Sequence, residues 1–269
     1  MSVAADNWKI EEYFPPINAG QKVMIFFTGG LSSMLIGKIA IDRYGVDNVV
    51  FCVMLMTPGD INMAQERIDY IYDSAKSAID TLGGKHIITL TPKDWDNVDD
   101  TYFNVTSIFT RKVERLWKID KAFDILAYIY LGFTKPVFEL IQIISLPEYS
   151  QGTYESVMEY INTHDDSKYL LEEFTDSAIR AMVAEMKMEA GVMDDFMYNP
   201  QAVLPWEDLN KGDMIEIALE LGYVDYINTT NSCSTVETGT MHCGECGSCI
   251  IRKRAFISAG VEDQTVYLK

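Results

Sequence analysis

The first ninety residues alternate between short apolar runs and segments with helical periodicity. Runs rich in β-branched and aromatic residues predict strands buried on both faces at 23–27, 49–56 and 86–90. Between them, apolar positions recur at helical spacing in 34–41 and 62–82. The order βαβαβ predicts a parallel sheet with crossover helices, that is, an α/β Rossmann-like fold with helices flanking the sheet.

The pattern beyond residue 90 predicts further elements in a less regular order. Residues 119–131 are apolar at helical spacing and predict a core helix, whereas 136–146 reads as a buried strand. The segment from 148 to about 189 is rich in charge and helix formers, which indicates helices. Lys211 precedes a helix that is expected to end at Gly222.

The loop after the first strand has a composition suited to binding phosphate. Gly29 and Gly30 let the backbone approach an anion, and the hydroxyls of Thr28, Ser32 and Ser33 can donate to it. The following helix adds its N-terminal partial positive charge. The loop carries neither a Walker P-loop nor a dinucleotide fingerprint. From the residues alone, a tight strand-to-helix turn capped by a serine explains the pattern equally well.

Four of the five cysteines fall within 17 positions near the end of the chain. They are Cys233, Cys243, Cys246 and Cys249. This spacing lets four thiolates converge on one ion, and Zn²⁺ takes four such ligands at tetrahedral corners. Disulfides or buried free thiols are the alternatives, and the adjacent His242 could replace one ligand. Cys52, alone in a strand-like run, is expected in the core.

Composition and charge narrow the class of protein. The chain has 269 residues, 48% of them hydrophobic, and a formal net charge of −18. Such acidity argues against tight nucleic-acid binding, although 251–254 is a local basic spot, and it favours a small-molecule substrate. No apolar run approaches the ~20 residues of a membrane span, and the N-terminus does not resemble a secretory signal, so we expect a cytoplasmic protein.

Three further positions have an expected place in this architecture. His86 starts its strand and is therefore expected at the sheet edge opposite the 28–33 loop, in a structural role. Asp194-Asp195 could bind a metal or a base edge, but a solvated loop or helix cap explains the pair as well.

Two separated stretches resemble one enzyme family. The strand followed by Thr28, Gly29, Gly30, Leu31, Ser32 and Ser33 resembles the PP-loop, SGGxDS, of N-type ATP pyrophosphatases. The run 231–267, with its four cysteines and Arg252, is similar to the end of the 7-cyano-7-deazaguanine synthase (QueC) family. The segment 204–221, which contains Lys211, is similar as well. The chain departs from the motif where Ser32 replaces its Asp and Thr28 its first Ser.

The resemblance implies an organisation and an activity. Pro15-Pro16 and the turn at 18–20 predict a surface lead-in at 1–20. The resemblance then implies a PP-loop α/β domain at 21–230 with a helical insertion at about 148–195, and a zinc-binding segment at 231–269. The family activates the carboxylate of 7-carboxy-7-deazaguanine with ATP, forms an amide with ammonia and dehydrates it to the nitrile. Carried over, residues 28–33 hold ATP with Mg²⁺, the cysteines hold a structural zinc, and Lys211 and Arg252 assist near phosphate or carboxylate.

The family likeness also suggests a homodimer, and two other functions stay open. One is a PP-loop enzyme that activates a different acceptor. The other is a homologue that binds nucleotide or a partner protein without turnover. This reading is suggested by Ser32 and by a middle region that lacks the family's signatures.

Overall fold

The computed structural model describes residues 2–55, 65–90, 125–145, 153–174, 176, 179–180, 183, 201–233 and 241–269. In these residues five strands form one parallel sheet in the order β3-β2-β1-β4-β5. The strands are β1 (Lys22–Phe26), β2 (Val49–Met54), β3 (His86–Leu90), β4 (Leu126–Tyr130) and β5 (Ala202–Val203). The α/β fold class predicted from the sequence is confirmed.

Helices flank this sheet and make up most of the remaining described structure. They are α1 (Val3–Asn7), α2 (Ile10–Tyr13), α3 (Leu31–Tyr44), α4 (Gln65–Thr81), α5 (Lys135–Ser145), α6 (Tyr154–Thr163), α7 (Leu170–Glu173), α8 (Lys211–Glu220), α9 (Val224–Asn228) and α10 (Gly247–Ser258). Single 3-10 turns lie at Val46–Asn48 and Asp165–Ser167. Within the described ranges, every helix is too short or too polar to cross a bilayer.

The centre of the sheet is apolar on both faces. Val23, Met24 and Ile25 of β1 are fully buried, as are the β2 residues beside them. Helix α3 packs on β1 and β2, and α4 packs on β2 and α3. Burial of continuous apolar strands between helices supplies the main driving force for this arrangement. It also fixes the loop after β1 at the carboxyl edge of the sheet, where α/β proteins place their sites.

Two predicted elements are wrong in type. Part of the predicted helix at 119–131 is strand β4, which pairs with β1 and β5, while 119–124 lie outside the described residues. The predicted strand at 136–146 is helix α5, which buries Leu140, Ile143 and Ile144 in a cluster with α6. Spacing of three and four residues between these buried positions is helical. Short apolar runs fit either period, so the packing partner decided both cases.

Two residues of the N-terminal segment that was expected at the surface, Ala5 and Phe14, are buried, whereas most of 2–20 is partly or fully exposed. Phe14 is fully buried and stacks on Tyr130 of β4 with ring centroids 4.7 Å apart. Trp8 stacks on Trp206 at 5.4 Å and donates from Nε1 to the carbonyl of Pro205. Aromatic side chains at irregular spacing gave no periodic signal for this contact.

Several other predictions can be compared with the structure. Cys52 is fully buried in β2, which confirms its place in the core. His86 begins β3, parallel to β1 through β2, and therefore lies at the edge opposite the 28–33 loop as predicted. The segment at 153–173 is helical as expected. Asp194-Asp195 lies outside the described residues, and the domain boundaries at 20 and 230 stay predictions.

Candidate functional site

The loop between β1 and α3 is held in shape by its own hydroxyl groups. The buried Ser33 side chain accepts a hydrogen bond from the Thr28 N–H at 3.3 Å and donates to the Gly30 carbonyl at 3.1 Å. The Thr28 hydroxyl accepts from the Gly30 N–H at 3.4 Å, a long contact. The Thr28 residue as a whole is exposed. These bonds fold the loop into a closed turn whose outer side faces solvent.

Gly29 permits a close approach between this loop and helix α4. Its φ is +76°, a region that favours glycine. A Cβ at this position would lie 3.2 Å from the Ala75 Cα and 3.4 Å from the Ser74 carbonyl oxygen. Since backbone atoms cannot move aside as a flexible side chain can, a larger residue here would push the loop away from α4.

The N-terminus of α3 offers donors to an anion. Gly30 is the N-cap residue and contributes no side chain to cap the 14-residue helix. Leu31, Ser32 and Ser33 occupy the first turn, whose N–H groups have no partner within the helix. Their partial positive charge favours a phosphate or carboxylate. The six residues predicted to bind phosphate therefore form one continuous loop-to-helix turn.

Ser32 contacts two neutral side chains. Its hydroxyl points toward the Met214 sulfur at 3.8 Å, and its carbonyl accepts a hydrogen bond from the Trp206 indole N–H at 3.3 Å. Trp206 and Met214 are both fully buried. The position occupied by Asp in the PP-loop motif therefore contacts a thioether here, and a carboxylate at the same place would lose hydration without gaining a cation from these two neighbours.

Lys211 is the first residue of α8, one turn before Met214. A capping box fixes this helix end: the Asn210 side chain accepts from the Asp213 N–H at 3.1 Å, and Asp213 accepts from the Asn210 N–H at 2.9 Å. Residues three apart on a helix share a face, so Lys211 lies beside the residue that contacts Ser32. Burial lowers the pKa of Lys211, and the positive charge of Arg252 lowers it further, while Glu173 opposes both effects.

The four cysteines converge as their spacing predicts. The Sγ atoms of Cys233, Cys243, Cys246 and Cys249 all lie within 4.8 Å of one another, and those of Cys243 and Cys249 are 3.9 Å apart. A tetrahedral site with metal–sulfur bonds of about 2.3 Å has sulfur–sulfur edges of about 3.8 Å. None of these four cysteines forms a disulfide, which contradicts the disulfide alternative. The cluster is a site that can bind a metal ion.

Backbone N–H groups point at these sulfurs. The Cys243 sulfur accepts from the N–H groups of Glu245 and Cys246 at 3.4 and 3.2 Å, and the Cys233 sulfur accepts from the Cys243 N–H at 3.4 Å. Gly244 makes the turn with φ +84°, and a Cβ there would lie 2.2 Å from the Lys269 carbonyl oxygen. Such N–H donors favour the thiolate form that a metal requires.

His242, the alternative ligand, is hydrogen-bonded to the main chain. Its Nε2 accepts from the Ser232 N–H at 2.9 Å, and its main chain bridges Tyr267 in the C-terminal tail. The cysteines therefore suffice as the ligand set, and His242 aligns the two chain segments that carry them.

Arg252 is buried beneath the cluster, with 1% of its surface exposed. Its Nε donates to both carboxylate oxygens of Asp263 at 3.2 Å, and its Nη1 and Nη2 donate to Thr230 Oγ1 at 2.6 Å and to the Ile227 carbonyl at 3.2 Å. The guanidinium thus joins α10 to the turn after α9 and to the tail. Its predicted role near the substrate stays a prediction, and the contacts seen are structural.

Sequence reasoning missed the residues that join these groups. Met214 and Trp206 contact Ser32, and Asn231 donates to the Tyr70 hydroxyl at 2.5 Å, which ties α4 to the segment entering Cys233. Asn231 lies in the run 231–267 that resembles the QueC family, but its contact with Tyr70 was not predicted. The similarity of 204–221 to the family was the one signal that pointed to Trp206 and Met214.

Comparisons with known proteins agree with this arrangement. The family model "Queuosine biosynthesis protein QueC" matches residues 152–260, which include Lys211, Arg252 and the four cysteines but not the 28–33 loop. The chain is 26% identical to the 7-cyano-7-deazaguanine synthase of Methanocaldococcus jannaschii over 256 residues, or 92% of this chain and 100% of that protein.

Shorter alignments reach higher identity. The 7-cyano-7-deazaguanine synthase of Syntrophobacter fumaroxidans is 44% identical over 61 residues, 23% of this chain and 25% of that protein. The enzyme of the same name from Legionella pneumophila (strain Paris) is 41% identical over 88 residues, 32% of this chain and 36% of that one. The resemblance to the QueC family is confirmed.

A solved structure is similar only at a low level. The U34-tRNA thiolase NcsA from Methanococcus maripaludis, determined with its [4Fe-4S] cluster, has 13% sequence identity and a TM-score of 0.39, covering 97% of this chain and 80% of that one. A likeness this low supports no conclusion on ligand or activity.

Proposed function

We propose that this chain, a relative of the QueC family, is an ATP-dependent carbon–nitrogen ligase that acts on 7-carboxy-7-deazaguanine or a close relative in queuosine-type biosynthesis. The carboxylate attacks the α-phosphorus of ATP, which forms an acyl-adenylate and releases pyrophosphate. Ammonia then displaces AMP to give the amide. A second ATP activates the amide oxygen, and loss of that oxygen with AMP gives the nitrile.

The residues of the 28–33 loop would supply binding and charge stabilisation. The closed turn and the α3 N-terminus provide N–H and hydroxyl donors to the ATP phosphates, and Mg²⁺ would offset part of their charge. No protein nucleophile is needed, since AMP is the leaving group and the task is positioning. Lys211, one helical turn from the residue that contacts Ser32, would neutralise a phosphate or the substrate carboxylate.

The four cysteines would hold a structural Zn²⁺. Sulfur atoms all within 4.8 Å of one another fit ligands around one ion, whereas a multi-iron cluster places its own atoms between the cysteines. Four thiolates leave no open position on zinc, so the ion would organise the fold and take no part in chemistry.

The proposed function includes a cytoplasmic location and small-molecule partners. The formal charge of −18 suits a cytoplasmic enzyme whose partners are ATP, ammonia and a small substrate, without tight nucleic-acid binding. The homodimer suggested by the family likeness is part of the same proposal.

The observation that supports this function most is the uncapped α3 N-terminus at a glycine-rich turn, in a chain whose residues 152–260 match the QueC family model. The test is to incubate purified protein with 7-carboxy-7-deazaguanine, ATP, Mg²⁺ and ammonia. We expect AMP and pyrophosphate in step with a product of amide or nitrile mass. Without ammonia, no amide should form.

A matched pair of lysine variants tests the role of Lys211. Lys211→Met is expected to lower kcat/KM at least tenfold, equivalent to about 1.4 kcal/mol of transition-state stabilisation. Lys85→Met removes the same charge from an exposed pair with Asp47 and should leave kcat/KM unchanged. Equal kcat/KM values in the two variants would show that Lys211 does not take part in the reaction.

A second function is favoured by one observation, the neutral setting of Ser32. If ATP binds but neither AMP nor product appears with any tested acid, the chain is a nucleotide-binding homologue without turnover. Adenylation of a different acid, with 7-carboxy-7-deazaguanine left unchanged, would instead identify an enzyme with another acceptor.

A further inference from the structure

The tail segment, residues 266–269, lies against the turn at 243–246 that carries two of the four cysteines. It runs beside His242, whose N–H donates to the Val266 carbonyl at 3.2 Å. The Leu268 N–H donates in turn to the His242 carbonyl at 2.9 Å. This pairing brings the end of the tail segment to the turn itself.

Gly244, within that turn, allows the close approach. Its φ is +84°, and a Cβ there would lie 2.2 Å from the main-chain oxygen of Lys269 and 3.1 Å from the Lys253 Nζ. Real Cβ atoms essentially never come within 3.0 Å of another heavy atom. A side chain at position 244 would therefore displace the tail segment and crowd the Lys253 ammonium.

Lys253 joins the turn and the tail segment to α10. Its Nζ donates to the main-chain oxygens of Gly244 and Lys269, both at 3.1 Å, and lies 4.2 Å from the centre of the Tyr267 ring. Lys253 follows Cys249 by four residues on α10, so the two side chains share a helix face. The ammonium therefore lies on the cysteine side of the helix.

The cysteine cluster is closed on one side and partly open on the other. Cys233 and Cys249 are buried, whereas Cys243 and Cys246 are partly exposed. A bound metal ion leaves by losing its ligands in sequence, and a competing ligand from solvent reaches the partly exposed pair first. Movement of the turn at 243–246 is therefore the first step expected in release.

We propose that Lys253 and the tail segment form a latch that holds this turn in place and sets the rate at which the bound metal is released. The inference rests on the metal site proposed above. The hydrogen bonds of Lys253 and the pairing at His242 fasten the two ends of the latch. Groups that orient metal ligands in this way typically change metal affinity roughly 10- to 100-fold, although they supply no ligand themselves.

The test measures transfer of zinc from the loaded, folded protein to an excess of a coloured chelator. Lys253→Met removes the ammonium and keeps the length of the side chain, and we expect release about tenfold faster. Arg254→Met is the matched control, because Arg254 is the next residue on the helix, is exposed and donates to the Glu172 carbonyl. Its release rate should equal that of the wild type.

Gly244→Ala opens the same latch from the other side and should speed release by a similar factor. Gly260→Ala is its control, since Gly260 has φ +66° but a Cβ there would meet no atom within 4 Å. Combining Lys253→Met with Gly244→Ala should speed release little more than either change alone, because both act on one contact. Should Lys253→Met fail to fold, the comparison of the two glycine variants still decides the question.

The dependence of the release rate on urea separates a latch from general destabilisation. A local opening exposes little surface, so its rate should rise only weakly with urea, whereas release through global unfolding rises steeply. Release rates in Lys253→Met and Gly244→Ala that equal those of their controls would overturn the proposal. A urea dependence as steep as that of global unfolding would do the same.

Metal analysis of the wild type separates this inference from the proposed function. If protein loaded with zinc and then desalted retains no metal, the proposed metal site fails and the latch fails with it. If one equivalent stays bound but no variant changes its release, the metal site stands and the latch alone is wrong. Neither measurement depends on turnover of ATP.

Discussion

Replacing Arg252 by Met tests whether this residue acts on the fold or on the substrate. The Arg252 and Asp263 side chains are 1% and 11% exposed, so their ion pair is shielded from solvent. Removing one member of a buried pair costs about 3–5 kcal/mol because the other charge is left uncompensated. Asp263 keeps a hydrogen bond from the Tyr267 hydroxyl at 2.6 Å and another from the Thr265 N–H at 3.1 Å. We therefore expect the lower end, about 3 kcal/mol of unfolding free energy.

The assay is urea unfolding of metal-replete protein, combined with a double-mutant cycle. Asp263→Asn should destabilise by a similar amount, and the double variant should lose about 1–3 kcal/mol less than the sum of the single variants, because the two residues are in contact. Arg254→Met is the control: Arg254 is exposed on the same helix, donates to the Glu172 carbonyl, and should cost well under 1 kcal/mol.

Unchanged stability with lost activity would assign Arg252 to the active site. If Arg252→Met unfolds at nearly the wild-type urea concentration yet abolishes AMP release, the side chain contacts substrate and its buried contacts are secondary. If instead stability falls while the folded fraction keeps its kcat, the role is structural.

The same pair predicts a dependence on pH. Burial by itself would raise the pKa of Asp263, but hydrogen bonds from Tyr267 and Thr265 and the charge of Arg252 outweigh it, so the pKa is lowered. A lowered carboxyl pKa contributes stability above the unfolded value of about 3.9, and this stability is lost as pH falls through the folded value. The difference in unfolding free energy between wild type and Asp263→Asn should therefore shrink below about pH 4.

Two further changes test the loop and the metal site. Gly29→Ala should weaken ATP binding at least tenfold in calorimetry, because a side chain is strained at this φ and its Cβ crowds the α4 backbone. Gly45→Ala is the control, since Gly45 has φ +80° and a Cβ there would meet no atom within 4 Å. This control should lower the unfolding free energy by about 1–2 kcal/mol and leave the ATP affinity unchanged. Cys249→Ser should lower the bound zinc, measured by mass spectrometry, from one equivalent to well below one and lower the unfolding midpoint, whereas Cys52→Ala should keep the metal. Equal ATP affinities, or unchanged zinc, would contradict these predictions.

Sequence reasoning succeeded where the signal is local. The turn at 28–33 and the cysteine knuckle are each fixed by neighbouring residues, because glycine permits φ values that side chains disfavour and a two-residue spacing brings thiols together. Strands β1 to β3 were predicted because continuous apolar runs punctuated by glycine are typical of a buried parallel sheet.

Predictions failed or were missing where distant segments decide the structure. The short apolar run of β4 fits a helix or a strand, and pairing with β1 settles which forms. Trp8 and Phe14 belong to no periodic pattern in the sequence. Their stacking on Trp206 and Tyr130 depends on segments that are distant along the chain. The contacts of Arg252 with Asp263 and Thr230 likewise appear only once the tail folds back over α10.

Helix α8 explains how the ends of the chain can depend on one another. Its Met214 contacts Ser32 of the N-terminal loop, while the helix packs on α10, which carries Cys249 and Arg252. Lys211, at the start of the helix, lies where the charge of Arg252 lowers its pKa. We therefore expect a metal ion bound by the cysteines, which would hold α10, to order α8 and, through Met214, the loop as well. A structural ion can thus affect the loop without contacting its ligand.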